Sequence, residues 1–456
     1  MEGDDLPGEL DRFLADHEAE LIAFRRDLHA HPELGYAEHR TTRRVALRLT
    51  AAGLRPVILP KGTGVLADIE PPDPPEPAGA GEGSAGTGSP GTGGVEPPAG
   101  RSGWPPTVAL RADLDALPMG DVKDVPYRSV VPGACHACGH DVHTTVLLGA
   151  GLFLAARASA GFLPGRVRLI FQPAEEVPGG ALDVLAANGL ASAGQIFALH
   201  CDPRLDVGKV GVRPGPITAA CDKITVRVSG PGGHTARPHL SADLVYALGK
   251  IITELPAALS RRVDPRSGLS LVWGRVSAGA AANVIPGDGV AEGTVRCLDD
   301  EAWHAAPDLL KELTDAVAGT YGVSAELGYE RNVPPTVNDP PSAAMLAAAA
   351  EQVLGANAVV PTAQSLGGED FAWYLESVPG ALARLGTRVP GGGDLDLHQP
   401  AFDVDERAIG TGVKVMAAVA LRALRDGGAR VPGPLPAAAR AWSPDAGSAI
   451  PGLVPG

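Results

Sequence analysis

Basic residues are in deficit: 38 Lys plus Arg stand against 53 Asp plus Glu, for a formal charge of −15. Nucleic acid and anionic membrane surfaces repel such a chain, so neither is expected as a partner. Long apolar runs are missing, and no segment is read as approaching the roughly 20 apolar residues that span a bilayer. Residues 1 to 10 are acidic and lack a basic stretch followed by an apolar one, so no secretory signal is read there. Cysteine is scarce as well. The five residues Cys135, Cys138, Cys201, Cys221 and Cys297 are an odd number without the spacing of a disulfide framework, which makes a reducing cytoplasm the expected compartment. Aromatic residues make up only 4% of the chain.

What is present is enough for two cores, because 456 residues exceed one ordinary domain. Residues 70–103 are mostly Pro, Gly, Ser and Glu, a composition that cannot bury enough surface to offset its ordering entropy, and read as a disordered insertion. Residues 427–456 read as a loose tail. Apolar residues at three- and four-residue steps predict helices over 10–28 and 41–52, the second stopping at Gly53. Short apolar runs over 107–111, 167–171 and 195–199 read as buried strands, and they alternate with helical patterns such as 144–156, so an α/β core is expected. From Cys221 the pattern changes: a strand with one wet face, a helix over 241–259, strands over 269–277 and 290–297, a helix over 300–320 and a strand over 323–331. That order is the ferredoxin-like split unit, a small α+β domain inserted at 217–333.

Groups suited to chemistry follow each buried strand: Asp113 and Asp115 after the first, Glu175 and Glu176 after the second, His200 after the third. Ligands of open α/β sheets bind beyond the carboxyl ends of strands, so these groups should converge on one crevice. The loop Gly133-Ala-Cys-His-Ala-Cys-Gly-His-Asp-Val-His143 adds two Cys, three His and an Asp just before a helix. It has the Cys-x-x-Cys of a structural zinc knuckle but no second half to close a tetrahedral site. Cys138 and His140, with Glu176, His200 and the late His398, offer more donors than one four-coordinate zinc with an open position uses; two ions sharing a ligand would use them all. Of the adjacent Glu175 and Glu176, one can bind an ion while the other takes a proton from water.

These strings resemble a known family, together with Leu110-Arg-Ala-Asp-Leu-Asp-Ala-Leu-Pro118, Phe171-Gln-Pro-Ala-Glu-Glu176, Ala198-Leu-His200, Gly232-Gly-His-Thr-Ala-Arg-Pro-His239, Ala282-Asn-Val-Ile-Pro286, Gly367-Gly-Glu-Asp-Phe371 and Leu397-His398. The likeness is to the M20 metallopeptidases, in particular the amidohydrolase subgroup with its hippurate hydrolases, N-acyl-amino-acid amidohydrolases and indole-acetyl-amino-acid hydrolases. It covers about 21–423 apart from the insertion. It implies an α/β, di-metal exopeptidase-like catalytic domain with a mixed sheet and flanking helices over 10–216 and 334–426, and a lid and dimerisation domain over 217–333.

Residue by residue, the resemblance implies that Cys138, His140, Glu176, His200 and His398 bind two divalent ions, and that Glu175 is the general base and then the acid. Zinc or manganese is expected, with cobalt or nickel tolerated by the same donors. Asp115 matches the acid that orients a metal ligand. Asp113 stands where many relatives outside the subgroup have a ligand histidine. His234 matches a histidine that crosses a dimer interface to polarise the scissile carbonyl, and Asn283 a substrate-contacting asparagine. His29 and His31 read as packing or capping residues, Glu369-Asp370 as a helix N-cap, and Cys135, His136 and His143 as structural or supporting. The chain departs from the subgroup at Pro231 and at Val177-Pro178, neither a ligand position. The expected reaction is metal-dependent hydrolysis of the amide bond of a small N-acyl amino acid or related amidated carboxylate by a cytoplasmic homodimer. The alternatives are a dipeptidase or carboxypeptidase of the same family, or a metal-dependent binding protein without catalysis.

Overall fold

The structure is a computed structural model that describes residues 5–71, 107–393 and 395–426. The insertion expected at 70–103 and the tail expected at 427–456 therefore lie almost wholly outside the described residues. The helix Leu6–Ala30 begins four residues earlier than its apolar periodicity predicts. Asp5 explains the early start, since its side chain accepts from the Gly8 amide and Pro7 occupies the first turn, where a missing N–H has no consequence. The next helix, His39–Ala51, ends at Gly53 with φ +82° as its sequence predicts.

Eight strands form one mixed sheet in the order Val57–Ile58, Val65–Ile69, Arg166–Gln172, Thr107–Asp113, Gln195–Asp206, Gly380–Arg388, Val210–Val212 and Val359–Pro361. The three strands expected to be buried lie side by side and parallel in its middle. Their residues alternate between two cores: Val108, Leu110 and Phe197 face one cluster, while Ala109, Ile196 and Ala198 face another. That two-residue period, with apolar groups on both faces, is why these strands read as unbroken hydrophobic runs. The large mixed sheet with flanking helices is the fold class expected from the sequence.

The helices Leu6–Ala30, His140–Ser159, Pro340–Leu354 and Arg407–Asp426 pack against one another over one sheet face. His140–Ser159 corrects the expectation that no segment is long and apolar enough to cross a membrane; by length and composition this helix is. Its apolarity is explained by its position between the sheet and two other helices, where most of its side chains are buried.

A second, four-stranded sheet is antiparallel throughout, in the order Ser270–Ala278, Asp288–Cys297, Ala220–Ser229 and Ser324–Val333. The helices Leu244–Arg262 and Asp300–Thr320 connect its strands and share a core with Ile224, Val226 and Val295. The first of these starts at Leu244, not Ser241, because Asp243 caps it by accepting from the Tyr246 amide at 3.1 Å.

Directly behind the Glu175-Glu176 turn the helix Gly180–Ala186 begins so close to the chain that a Cβ on Gly180 would sit 2.0 Å from the Pro173 carbonyl oxygen and 2.5 Å from that of Ala174. Both obstacles are backbone and cannot swing aside. Gly180→Ala should therefore destabilise the protein by roughly 1–3 kcal/mol, seen as a lower Tm in a thermal melt, and should weaken activity through the displaced turn. A Tm equal to the parent's would contradict this close packing.

Candidate metal centre

The ligand loop turns on Gly139, whose φ of +91° is open to glycine and strained for other residues. A Cβ there would meet the Cys201 sulfur at 2.7 Å. Cys138 precedes this turn and His140 opens the helix after it, so both buried side chains project toward the ends of the central strands.

Asp115, just past the strand Thr107–Asp113, ties three segments together. Its carboxylate accepts from the backbone amides of Glu175 at 3.1 Å and Glu176 at 3.0 Å, and lies 3.2 Å from His140 Nδ1. A proton held on Nδ1 by this contact leaves the Nε2 lone pair directed at Glu175 and Glu176, at 3.9 and 3.8 Å. His200 is arranged in the same way: Nδ1 donates to the Cys201 carbonyl at 2.8 Å, and Nε2 faces the Cys138 sulfur at 3.5 Å. His398 reaches over from a residue with φ +59°, placing Nε2 3.2 Å from Glu176 Oε1. The strain before the paired acids is similar, since Ala174 has φ +54° and is held by its amide donating to Glu38 at 2.7 Å.

The donor atoms of Cys138, His140 and His200 lie within 4.8 Å of one another, as do those of Cys138, Glu176 and His398, and those of His140, Glu175 and Glu176. The structure thus brings Glu175, Asp115 and the five expected ligands into one cluster. Buried His140 Nε2 has no hydrogen-bond partner, and buried Glu176 Oε1 has only ion-pair distances to rings, 3.2 Å to His398 and 3.8 Å to His140. Burial raises the Cys138 thiol well above its usual value, and Glu176 adds to this. Burial, with His143 and Arg384 nearby, pulls His200 well down, which keeps it a neutral imidazole. For His140 burial opposes charge, but Asp113, the Cys138 thiol and Asp115 outweigh it and raise the group well. Unpaired lone pairs, a thiol beside imidazoles and two carboxylates fit a pair of divalent cations, whose binding would displace protons from Cys138 and His140.

Around this cluster opens a cleft of about 590 Å³, lined by Glu175, Glu176, Glu369 and His398 on one side and by Cys221, Arg296 and Asn332 of the second sheet on the other. Burial, then Glu369, Glu176 and Asp370, push the Glu175 carboxyl well above the ordinary range.

Several expectations need correction. His200 does not lie beyond its strand, because Gln195–Asp206 continues to Asp206, held by parallel pairing with Gly380–Arg388. Asp113 is engaged elsewhere, by His143 Nδ1 at 2.6 Å and by Arg111 at 2.7 Å. His143 has the supporting place expected of it, stacked beside His140 and His200 with its Nε2 accepting from the Cys201 amide. Glu369 and Asp370 do not cap the short helix Ala372–Leu375 with their side chains; Glu369 accepts from the Phe371 amide at 3.0 Å, and Asp370 serves the first turn of another helix, Gly180–Ala186. They are buried beside Arg111, at 3.2 and 2.8 Å, and Asp370 also accepts from Gln172 and the Ala181 amide. Glu38, Arg111 and Arg384 were not anticipated; a charged residue inside an otherwise apolar strand is the signal that marks both arginines.

His234 and Asn283 are not brought to the cluster. Both lie at one end of the two-stranded ribbon of Gly233–His234 and Val284–Ile285, where His234 pairs with Val284 and the Asn283 carbonyl accepts from the Thr235 amide; both are exposed to solvent and outside the cleft lining. Behind the ligand loop, by contrast, His29 is fully buried, with Nδ1 2.7 Å from Asp141 and Nε2 3.3 Å from Asp121. Arg25 pairs with Asp141 at 2.7 Å and Lys123 with Asp121 at 3.0 Å. His31 caps the helix end through the Asp27 carbonyl at 2.9 Å.

The pattern described as Peptidase family M20/M25/M40 matches residues 109–422. An N-acetylcysteine deacetylase of Bacillus subtilis (strain 168) is 37% identical over 392 residues, 85% of this chain and 93% of its own length. A protein of Rhodococcus jostii (strain RHA1) named putative glutamate–cysteine ligase 2-3 is 46% identical over 410 residues; these are 90% of this chain, which spans only 47% of that relative. Among solved structures, a Bacillus subtilis protein described as a dinuclear metal binding peptidase from the M20 family superposes with TM-score 0.74 at 33% identity, covering 90% of this chain and 99% of that one.

Two outcomes follow from the geometry. Asp115→Asn removes acceptor capacity from His140 and the Glu175-Glu176 amides, and should weaken divalent metal binding by roughly 10–100-fold in a chelator competition while the circular dichroism stays unchanged. Burial disfavours a charged His29, but Asp141 and Asp121 outweigh this and raise it from 6.5 to about 10. A raised group stabilises the fold fully below its unfolded value and loses that contribution as pH climbs through about 10. His29→Gln should thus lower Tm most near pH 6, with the gap to the parent closing toward pH 10; a gap constant with pH would show that charge is not its source.

Proposed function

The chain belongs to peptidase family M20/M25/M40, and on that premise we propose that it is a metal-dependent amidohydrolase acting on the amide bond of N-acyl amino acids or similar small amidated carboxylates. One observation carries the reading: Glu175 stands beside a convergent set of Cys, His and Glu donors in which His140 Nε2 is buried without a hydrogen-bond partner and Glu176 Oε1 is met by His398 Nε2 at 3.2 Å. The similarity to an N-acetylcysteine deacetylase supports the substrate class, and the likeness to a dinuclear metal binding peptidase supports two ions.

Cys138, His140, Glu176, His200 and His398 would hold two divalent cations, zinc or manganese before cobalt or nickel. Such ions, when bound, supply Lewis acidity toward a carbonyl oxygen and make water more acidic. Glu175 removes the proton from the attacking water and passes it to the departing nitrogen; its place in a buried, acid-crowded corner gives it the proton affinity for both tasks. Asp115 keeps His140 and the Glu175-Glu176 backbone in register. His234, exposed on its ribbon, reaches the cleft of a second subunit and donates to the carbonyl oxygen as it gains charge, with Asn283 contacting the substrate beside it. In this reading 10–216 and 334–426 form the catalytic domain, and 217–333 the lid and dimerisation domain. All five cysteines are free thiols, which suits a cytoplasmic homodimer.

Glu175→Gln should leave bound metal unchanged and reduce kcat by roughly 10²–10⁴ on the best substrate. The test is a panel of hippurate, N-acetyl amino acids and dipeptides offered to zinc- and manganese-loaded protein. Preference for dipeptides would favour a peptidase, and metal-loaded protein inert on the whole panel would favour a binding protein. Parental turnover by Glu175→Gln would remove Glu175 from its assigned role.

A further inference from the structure

Arg384 lies on the strand Gly380–Arg388 directly opposite His200 in the sheet register, and it lines the cleft beside Cys138, Glu369 and His398. The residue is 6% exposed. Its Nε is buried without a hydrogen-bond partner, and among the described residues no hydrogen bond or ion pair involves its side chain. The terminal amino groups are not among the buried unpaired atoms, and the residue is part of the cleft lining.

A guanidinium this enclosed is ordinarily matched by a carboxylate. The acids whose charge acts most on it are Glu369 and Asp202, followed by the Cys138 thiol, and each of the two carboxylates has another cation in direct contact: Arg111 at 3.2 Å from Glu369, and Arg204 at 3.0 Å from Asp202. A purely charge-balancing arginine would be expected to contact one of them. Burial also draws the Arg384 guanidinium below its ordinary value, as expected of a cation short of a counter-charge. The arrangement therefore resembles a preformed half of a charge pair whose other half comes from outside the chain.

We propose that Arg384 is a specificity-determining residue that pairs with a carboxylate of the substrate, within the cleft and next to the scissile amide. Planar guanidinium matches planar carboxylate through two parallel N–H···O bonds, which fixes orientation as well as charge. The substrate class narrows accordingly to anionic amides, whether the charge is the α-carboxylate of the amino acid or a carboxylate ending the acyl group. This rests on the amidohydrolase reading above.

The test uses metal-loaded protein carrying Glu175→Gln, in which binding is measured without turnover. Calorimetric titration with N-acetyl-L-leucine, N-succinyl-L-leucinamide and N-acetyl-L-leucinamide separates an α-carboxylate, an acyl-terminal carboxylate and neither. Adding Arg384→Met should weaken one of the first two ligands by at least about tenfold and leave the neutral third unchanged. Arg384→Lys should recover part of the loss, which a packing role for the side chain would not produce. Equal weakening of all three ligands, no weakening of either carboxylate ligand, or failure of both carboxylate ligands to bind would overturn the assignment. Carboxylate-dependent binding combined with no hydrolysis by the parent enzyme would uphold Arg384 and sink the amidohydrolase reading alone.

Discussion

The carboxylate of Asp115 is the contact on which the rest of the centre depends. It stands two residues past the end of a central strand, and from there it reaches His140 on one loop and the amides of Glu175 and Glu176 on another. Three donors converge on one carboxylate, so the two loops cannot shift independently. Had the same loops been held only by side-chain packing, the ring of His140 would be free to rotate and its lone pair would lose its direction. A single hydrogen-bonded hub thus converts three distant pieces of sequence into one rigid arrangement of donors.

Holding so many ionisable groups out of water is the larger energetic problem, and the fold meets it by layering cations behind the acids. Arg111 spans Asp113, Glu369 and Asp370 from within a strand. Arg25, with His29, serves Asp141 behind the ligand loop. Even so the acids outnumber the cations at the cleft. Burial and the neighbouring Glu369 raise Asp370 to about 7 against the opposing pull of Arg111 and the bonds from Gln172 and Ala181, and burial with Asp115 raises Glu38 to about 7. Carboxyls in that range share protons with solvent near neutral pH, and each added positive charge in the cleft would drive them toward ionisation.

Strands and helices were legible because their signals are local. The runs 107–111, 167–171 and 195–199 are apolar on both faces, as buried parallel strands must be, and helices such as Asp300–Thr320 carry their cap in the preceding residue. The convergence of the donors was legible in part for a related reason: Asp115 and the Glu175-Glu176 pair follow neighbouring central strands and share one edge of the sheet, whereas Cys138, His140 and His398 reach it from other loops and His200 from within its strand. The extension of Gln195–Asp206 was not, because a partner strand far later in the chain, Gly380–Arg388, holds it. Nor were the places of Glu369 and Asp370, which beside a short helix look like capping acids until Arg111 is folded against them. Buried ion pairs join residues with no sequence relation, so only the individual charge in an apolar strand hints at them.

The second sheet bears on the same centre in two separate ways. Its strand residues Cys221, Arg296 and Asn332 line the cleft from across the donors, so the cleft exists only where the two sheets face each other. His234 and Asn283 belong to the same segment yet point to solvent. A histidine that polarises a carbonyl must come within hydrogen-bond distance of it, which this one does not do in its own chain. If these residues act at all on the amide held near Glu175, a second copy must bring them, and the chemistry is then divided. In that arrangement one chain would supply the base and the donors, and its neighbour the hydrogen bond that the developing charge needs.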